Sequence, residues 1–437
     1  MSPTHTPTTG ALQPGVKRRH VWAWAMYDFA NSGYTTVVIT AVFSAYFVGA
    51  VAGGAPWATL AWTGSLSLSY ALALLLMPAL GAWADKRGSK KKVLLWSTAG
   101  CVLATAALAL VGAHDVALAM ALIVASNLLY SVGESTIAGF LPELAKPEAM
   151  GRVSGWGWGW GYVGGMLTLG LCLAYVLAAQ ARGEPATAFV PVTMLITAAL
   201  FGVAASVTLF ALPERSNTAA SPAHPTKHWW QQLRSTWQHA KTLPDLAQSL
   251  RCVVAYQAGV AVAIALAAIY AEQTIGFAPQ ETMALIFVLN IAAMAGALLL
   301  GHVQDRIGVK ATLALTLAGW ILTCGIAAVA ESKELFWWAA GLAGVCMGAS
   351  QSAGRAMVGQ MSPAAQRGEF FALWGVAVRV ASILGPLLYG VVTWLADGNQ
   401  RLAIAATSVL FMLGWWLLRR VDVARGMRAV ATQSMTQ

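Results

Sequence analysis

The stretch GAWADKRGSKKK at residues 81–92 decides the fold, because it returns as GHVQDRIGVK at residues 301–310. Gly81, Asp85, Gly88 and Lys90 match Gly301, Asp305, Gly308 and Lys310, every pair 220 positions apart (301 − 81). Arg87 and Arg306 add basic charge beside the repeated Asp and Gly. Gly155 and Gly375, then Gly165 and Gly385, recur at the same offset. Both polar stretches are wedged between long apolar runs. The chain reads as two related membrane halves joined in the middle.

Composition supports a membrane protein. Hydrophobic residues make up 58% and charged residues 10% of 437 positions, against about 25% charged in a soluble domain. Apolar windows of about 20 residues, enough to cross a hydrocarbon layer of about 30 Å, recur along the chain. Spans are expected near 22–47, 58–82, 93–112, 115–141, 153–179 and 188–212, then 250–271, 281–302, 311–330, 335–360, 370–395 and 402–420. They must be helices, since an open strand cannot satisfy its backbone in lipid. The expected fold is therefore all-α, with about twelve transmembrane helices, six in each half.

The net charge of +10 raises the question of nucleic acid. Its distribution answers it. With both termini inside, the outside loops hold only Arg182, Lys333 and Arg401 among the 27 Lys and Arg, which follows the positive-inside rule. Both repeated stretches then fall on the cytoplasmic side, six spans apart. The repeat is parallel, about an axis along the membrane normal.

Other motifs mainly exclude. Cys101, Cys172, Cys252, Cys324 and Cys346 sit in predicted spans, which argues against a disulfide framework. The seven His lie in tails, loops or span ends, so neither a metal cluster nor a histidine base at membrane depth is expected. There is no G-x-x-x-x-G-K-[ST] loop for ATP. Neither an enzyme nor a cofactor is implied.

The expected organisation begins with a disordered cytoplasmic tail at 1–20, rich in Thr and Pro. The first half follows at 21–212, a cytoplasmic linker at 213–249, the second half at 250–420 and a cytoplasmic tail at 421–437. Within the linker, Trp230, Leu233 and Trp237 keep helical spacing with Lys227, Arg234 and Lys241 between them. This pattern suits a short helix lying on the membrane surface.

The fifth span opens GRVSGWGWGWGYVGG. On a helix, Gly151, Gly155 and Gly159 form one small ridge, and Gly157, Gly161 and Gly165 another. Each Gly costs about 1 kcal/mol of helix propensity relative to Ala, so the density asks for a reason. Close helix packing supplies one, with or without motion across the ridge.

Charges at membrane depth default to functional candidates. Asp28 falls about 9 Å inside the first span at about 1.5 Å per residue. Glu134 and Arg355 lie at similar depth, and Arg379 lies nearer the midplane. Asp28 could take a proton or a substrate ammonium group, and Arg355 or Arg379 a carboxylate. A structural ion pair between Asp28 and Arg355 is the plainer alternative. Asn31, Asn127 and Asn290 are polar contacts or ordinary interhelical hydrogen-bonders.

Twelve helices, the repeat and G-x-x-x-D-(R/K)-x-G-x-K between spans two and three resemble the major facilitator superfamily. Within it, Trp24, Tyr27, Asp28, Ala30, Asn31 and Ser32 match the W-x-x-Y-D-x-A-N-S pattern of one branch. That branch holds the yeast vacuolar amino-acid effluxer linked to autophagy and its bacterial relatives. Leu141-Pro142-Glu143, Gly151 through Gly165, Arg355, Phe370, Gly385 and Pro386 resemble it too. Thr136 to Phe140 depart from the branch pattern, and Tyr256-Gln257-Ala258-Gly259 lacks the acidic residue expected there. The resemblance implies that Gly81, Asp85, Arg87, Gly88, Lys90, Asp305, Arg306 and Gly308 latch one conformational state. It also implies that Asp28, Glu134 and Arg355 line a cavity; with Tyr27, Asn31 and Arg379 they are the candidates for substrate or proton binding.

The expectation is a secondary carrier with alternating access. It moves a small solute such as an amino acid, coupled to protons and outward, and works as a monomer in a bacterial inner membrane. Export of amphipathic drugs is a second reading. A non-transporting receptor or scaffold is a third, which would need neither the repeat nor the buried charges.

Overall fold

The structure, a computed structural model, describes residues 12–87, 89–146, 150–213, 237–238, 241–362 and 367–436. Among these there is no strand, only an isolated bridge between Leu12 and Ala145. The first half supplies α1 (Arg18–Val51), α2 (Ala58–Arg87), α3 (Lys90–Ala107), α4 (Val116–Ala138), α5 (Met150–Ala181) and α6 (Ala186–Ala211). The second supplies α7 (Pro244–Ile275), α8 (Pro279–Ile307), α9 (Val309–Val329), α10 (Lys333–Gln360), α11 (Arg367–Leu395) and α12 (Gln400–Arg419).

Eleven of these are long and apolar enough to cross a membrane. The exception is α10. It has 28 residues, but Ser350, Gln351, Ser352 and Arg355 dilute its apolar character. Such side chains belong where a span faces protein and not lipid.

The ends follow local chemistry. Ser332 Oγ accepts from the Leu335 N–H to start α10, and Asn399 Oδ1 accepts from Leu402 to start α12. Pro244 and Pro279 begin α7 and α8, where the missing N–H costs nothing. Gly308 joins α8 to α9 at φ 85°, a left-handed geometry that favours glycine. Both α1 and α7 end in π-helical turns, at Phe47–Val51 and Ala271–Ile275. Wide turns of this kind concentrate at functional positions.

By spatial contact the described residues group into two compact units. Unit 1 draws on 1–38, 75–111 and 121–220; unit 2 draws on 39–74, 112–120 and 221–437. The distal parts of α1 and α2 therefore group with the second half of the chain. Local bonds within unit 2 account for this. The Trp62 indole donates to the Ala265 carbonyl at 3.3 Å, and Ser67 Oγ to the Ile383 carbonyl at 2.9 Å. Gln400 Nε2 donates to Thr59 Oγ1 at 2.7 Å, and the Tyr389 hydroxyl donates to Gln400 Oε1 at 2.8 Å.

In unit 1, α1 is the hub. Its Trp24 indole donates to the Ile137 carbonyl of α4 at 2.9 Å. Tyr27 shares a hydrogen bond with Thr98 of α3, and Thr208 of α6 donates to the Ala23 carbonyl. In unit 2 the core stacks Trp320 on Phe411 at 5.0 Å. The repeat survives as a contact. Gly165 lies against Ser32 and Thr36, and Gly385 against the Ala258 carbonyl, each on the first helix of its own half.

The linker expected to hold a surface helix lies outside the described residues, apart from Trp237, Gln238 and 241 onward. Trp237 packs against the core of unit 2. The tail expected at 421–437 forms a further helix, α13 (Val423–Thr436). Asp245, at the start of α7, accepts from Arg425 Nε and Nη2 at 2.7 Å each and from the Asp422 N–H at 2.8 Å. That carboxylate holds the Arg425 guanidinium above its ordinary value.

Candidate functional site

Packing on α3, α4, α5 and α6 buries Trp24, Tyr27 and Tyr34 of α1. One stripe stays only half-buried: Asp28, Ser32, Thr35 and Thr36, at helical spacings of four, seven and eight. Asp28 lies directly over Gly157 of α5, where a Cβ would meet its carboxylate and the Trp24 ring. A Cβ on Gly161 would come within 2.8 Å of Ser32 Oγ. The glycine ridge thus places the α5 backbone against the polar stripe of α1. Gly159 faces open space, and nothing is described of the side-chain environment at Gly155.

Beside the stripe stands Asn31. It is 5% exposed, and neither its side-chain nitrogen nor its oxygen has a hydrogen-bond partner among the described residues. From α4, the helix that receives the Trp24 hydrogen bond, Glu134 adds a second half-buried carboxylate. Its Oε1 accepts from the Tyr130 hydroxyl at 3.2 Å, and Tyr130 in turn stacks on Tyr34 at 5.1 Å. On the neighbouring helices α1 and α4, unit 1 thus carries two half-buried carboxylates and a buried amide without a partner among the described residues. Two carboxylates on one apolar scaffold draw in a proton or a cationic group. Tyr27 is not part of this face: it is fully buried, with its hydroxyl 2.9 Å from Thr98 Oγ1.

Unit 2 carries a second polar cluster. Gln257 of α7, 3% exposed, donates to Gln351 of α10 at 2.8 Å. One turn along, the Arg355 guanidinium stands 5.3 Å over the Trp374 ring of α11. Arg379 stands 5.5 Å over the Tyr70 ring of α2. Asn290 donates to the Ile286 carbonyl of its own helix. Sequence reading passed over the Gln257–Gln351 pair and Tyr130. Glutamines and a tyrosine in apolar runs give no local signal, and only the pairing of α7 with α10 brings the amides together.

The latch residues divide. Gly88 and the side chains of Gly81, Asp85, Arg87 and Asp305 lie outside the described residues. Lys90 is described: its Nζ pairs with Glu143 Oε1 at 2.9 Å, tying the start of α3 to the turn after α4. Its repeat counterpart Lys310 instead donates to the Val421 carbonyl just past α12 and to the Arg419 carbonyl at its end, at 2.6 and 3.3 Å. Arg306 is exposed.

The family model described as "Vacuole effluxer Atg22 like" matches residues 62–431. The chain belongs to that family. It is 27% identical over 397 residues to the uncharacterized MFS-type transporter YxiO of Bacillus subtilis, covering 90% of this chain and 92% of that one. Autophagy-related protein 22-1 of Neosartorya fischeri is 24% identical over 305 residues, covering 63% of this chain and 49% of the fungal protein. The chain thus spans about half the length of that fungal relative. Among solved structures, a D-xylose-proton symporter matches at TM-score 0.71 and 14% identity, covering 93% and 99% of the two chains. A bacterial homolog of the human lysosomal transporter Spinster matches at 0.70 and 13%, covering 96% and 99%. The fold is that of the major facilitator superfamily, and the protein is a multi-pass membrane transporter of that type.

Proposed function

We propose that this transporter is a proton-coupled secondary carrier that exports a small solute bearing a cationic group, an amino acid being the leading class, by alternating access. The observation that carries the reading is the half-buried Asp28 beside Asn31, which has no partner among the described residues, on α1, with half-buried Glu134 on the adjacent α4. An ammonium group satisfies two carboxylates and an amide oxygen, and a proton can replace it on a carboxylate. Competition between the two cations at one site is the simplest basis for coupling. The outward direction is supported by the family description, and a bacterial cell-membrane location by the Bacillus relative.

In proteoliposomes with an imposed pH gradient, the protein should move at least one of the twenty standard amino acids, each tested in labelled form, faster than empty liposomes. Asp28→Asn and Glu134→Gln should each abolish the response to the gradient. Gradient-driven transport that survives both substitutions overturns the site. Transport of amphipathic dyes with no amino acid moved overturns the substrate class.

A further inference from the structure

A basic pocket of about 280 Å³ lies at the end of unit 2 where α7 begins and α12 ends, lined by Lys241, Asp245, Gln248, Arg251, Arg420 and Arg425 among others. Asp245 is the only carboxylate among its lining residues, and Arg425 binds both of its oxygens at 2.7 Å. The charges of Lys241, Arg251 and Arg420 are left without a carboxylate in the lining. A pocket with this balance selects an anion.

The surface leading to the pocket is not that of a free-anion site. Along α12, Val409, Leu413 and Trp416 are 56%, 44% and 47% exposed, and Arg420 continues the same helical face. The Arg420 guanidinium sits 3.7 Å over the Trp416 ring, so the apolar stripe runs directly to a cation of the pocket. Next to it, Arg419 stands 5.8 Å over Trp415. Trp beside Arg at the end of a span marks the headgroup level of a bilayer. We propose that this pocket seats the phosphate of an anionic phospholipid whose acyl chains lie along the exposed face of α12. Basic pockets between spans bind anionic headgroups in this way. The bound lipid would tie the start of α7 to the end of α12, two helices already joined through Asp245 and the chain around Asp422.

The test uses the full chain in neutral detergent, titrated in native mass spectrometry with phosphatidylglycerol and with phosphatidylcholine. Wild type should bind phosphatidylglycerol more tightly. The Arg251→Gln/Arg420→Gln double variant should lose about 25-fold in that affinity, taking about fivefold for each of two surface cations. Its binding of phosphatidylcholine and its thermal midpoint should be unchanged. Neither substitution touches the Asp245–Arg425 pair. Retention of phosphatidylglycerol affinity within twofold overturns the proposal. So does stabilisation of wild type by inorganic phosphate to the same extent as by phosphatidylglycerol, which would make the pocket a free-anion site. Should the variant fold poorly, wild type alone decides: salt must weaken phosphatidylglycerol more than phosphatidylcholine, and equal salt dependence overturns the assignment.

Discussion

At the scale of single residues, neighbours on α1 differ in whether the surrounding helices satisfy them, and the proposed function assigns them different roles. Tyr27 and Asn31 are both buried, yet their surroundings differ. Tyr27 is bonded to Thr98, so Tyr27→Phe should cost about 0.5–1.5 kcal/mol of stability, the usual worth of one hydrogen bond. Transport by the folded fraction should persist. Asn31 has no partner among the described residues, and a buried unsatisfied polar group costs about 1–3 kcal/mol. Asn31→Leu should therefore leave the thermal midpoint unchanged or higher while transport falls steeply. A lowered midpoint with transport intact would mean that Asn31 is structural. The Tyr-Asp-x-x-Asn pattern was legible in the sequence. Which of its members turn inward was not, because that depends on the four helices packed around α1.

At the scale of elements, the glycines of α5 show periodicity translated into contact. Every second residue from Gly155 to Gly161 is glycine, a spacing that imitates a strand. The absence of any strand partner in lipid points to a helix, and the structure has one. Gly157 and Gly161 meet α1, whereas Gly159 meets nothing within 4 Å. Gly157→Leu and Gly161→Leu should each disrupt the α1–α5 contact, lowering yield and thermal midpoint and abolishing transport. Gly159→Ala should be neutral or stabilising by up to about 1 kcal/mol, the helix-propensity difference. Thermal unfolding in detergent separates them; small gains at all three positions would mean that propensity and not contact governs this helix. The repeat-related lysines carry a similar lesson. Lys90 and Lys310 occupy matching positions, but one pairs with a carboxylate and the other with helix-end carbonyls. Matching sequence placed both at the start of a span, while the available partner was set by different chain segments.

At the scale of the whole molecule, the distal part of α2 is joined to α11 and α12 within unit 2 through Thr59, Gln400 and Tyr389. Gln400 is 8% exposed and Tyr389 2%, so loss of the amide removes the donor to the buried Thr59 hydroxyl and leaves the Tyr389 hydroxyl only the Gln400 carbonyl at 3.4 Å. Gln400→Leu should loosen α2 from these helices. A cysteine at Thr63, 0% exposed, should then label faster with a membrane-impermeant maleimide, against a low background because all five native cysteines are buried. Unchanged labelling would show that Trp62 and Ser67 hold the contact without Gln400. The sequence by itself determined the twelve long helices, the repeat and the family, and it missed α13. Those properties follow from the apolar length needed to cross a bilayer and from polar turns that recur in register. Only the tertiary structure decided that the distal parts of α1 and α2 group with the second half, that Gln257 meets Gln351, and that Arg251 of α7, Arg420 just after α12 and Arg425 of α13 line one pocket. Span-forming residues are selected by lipid along the chain, whereas these pairings join positions far apart in it that leave no periodic trace.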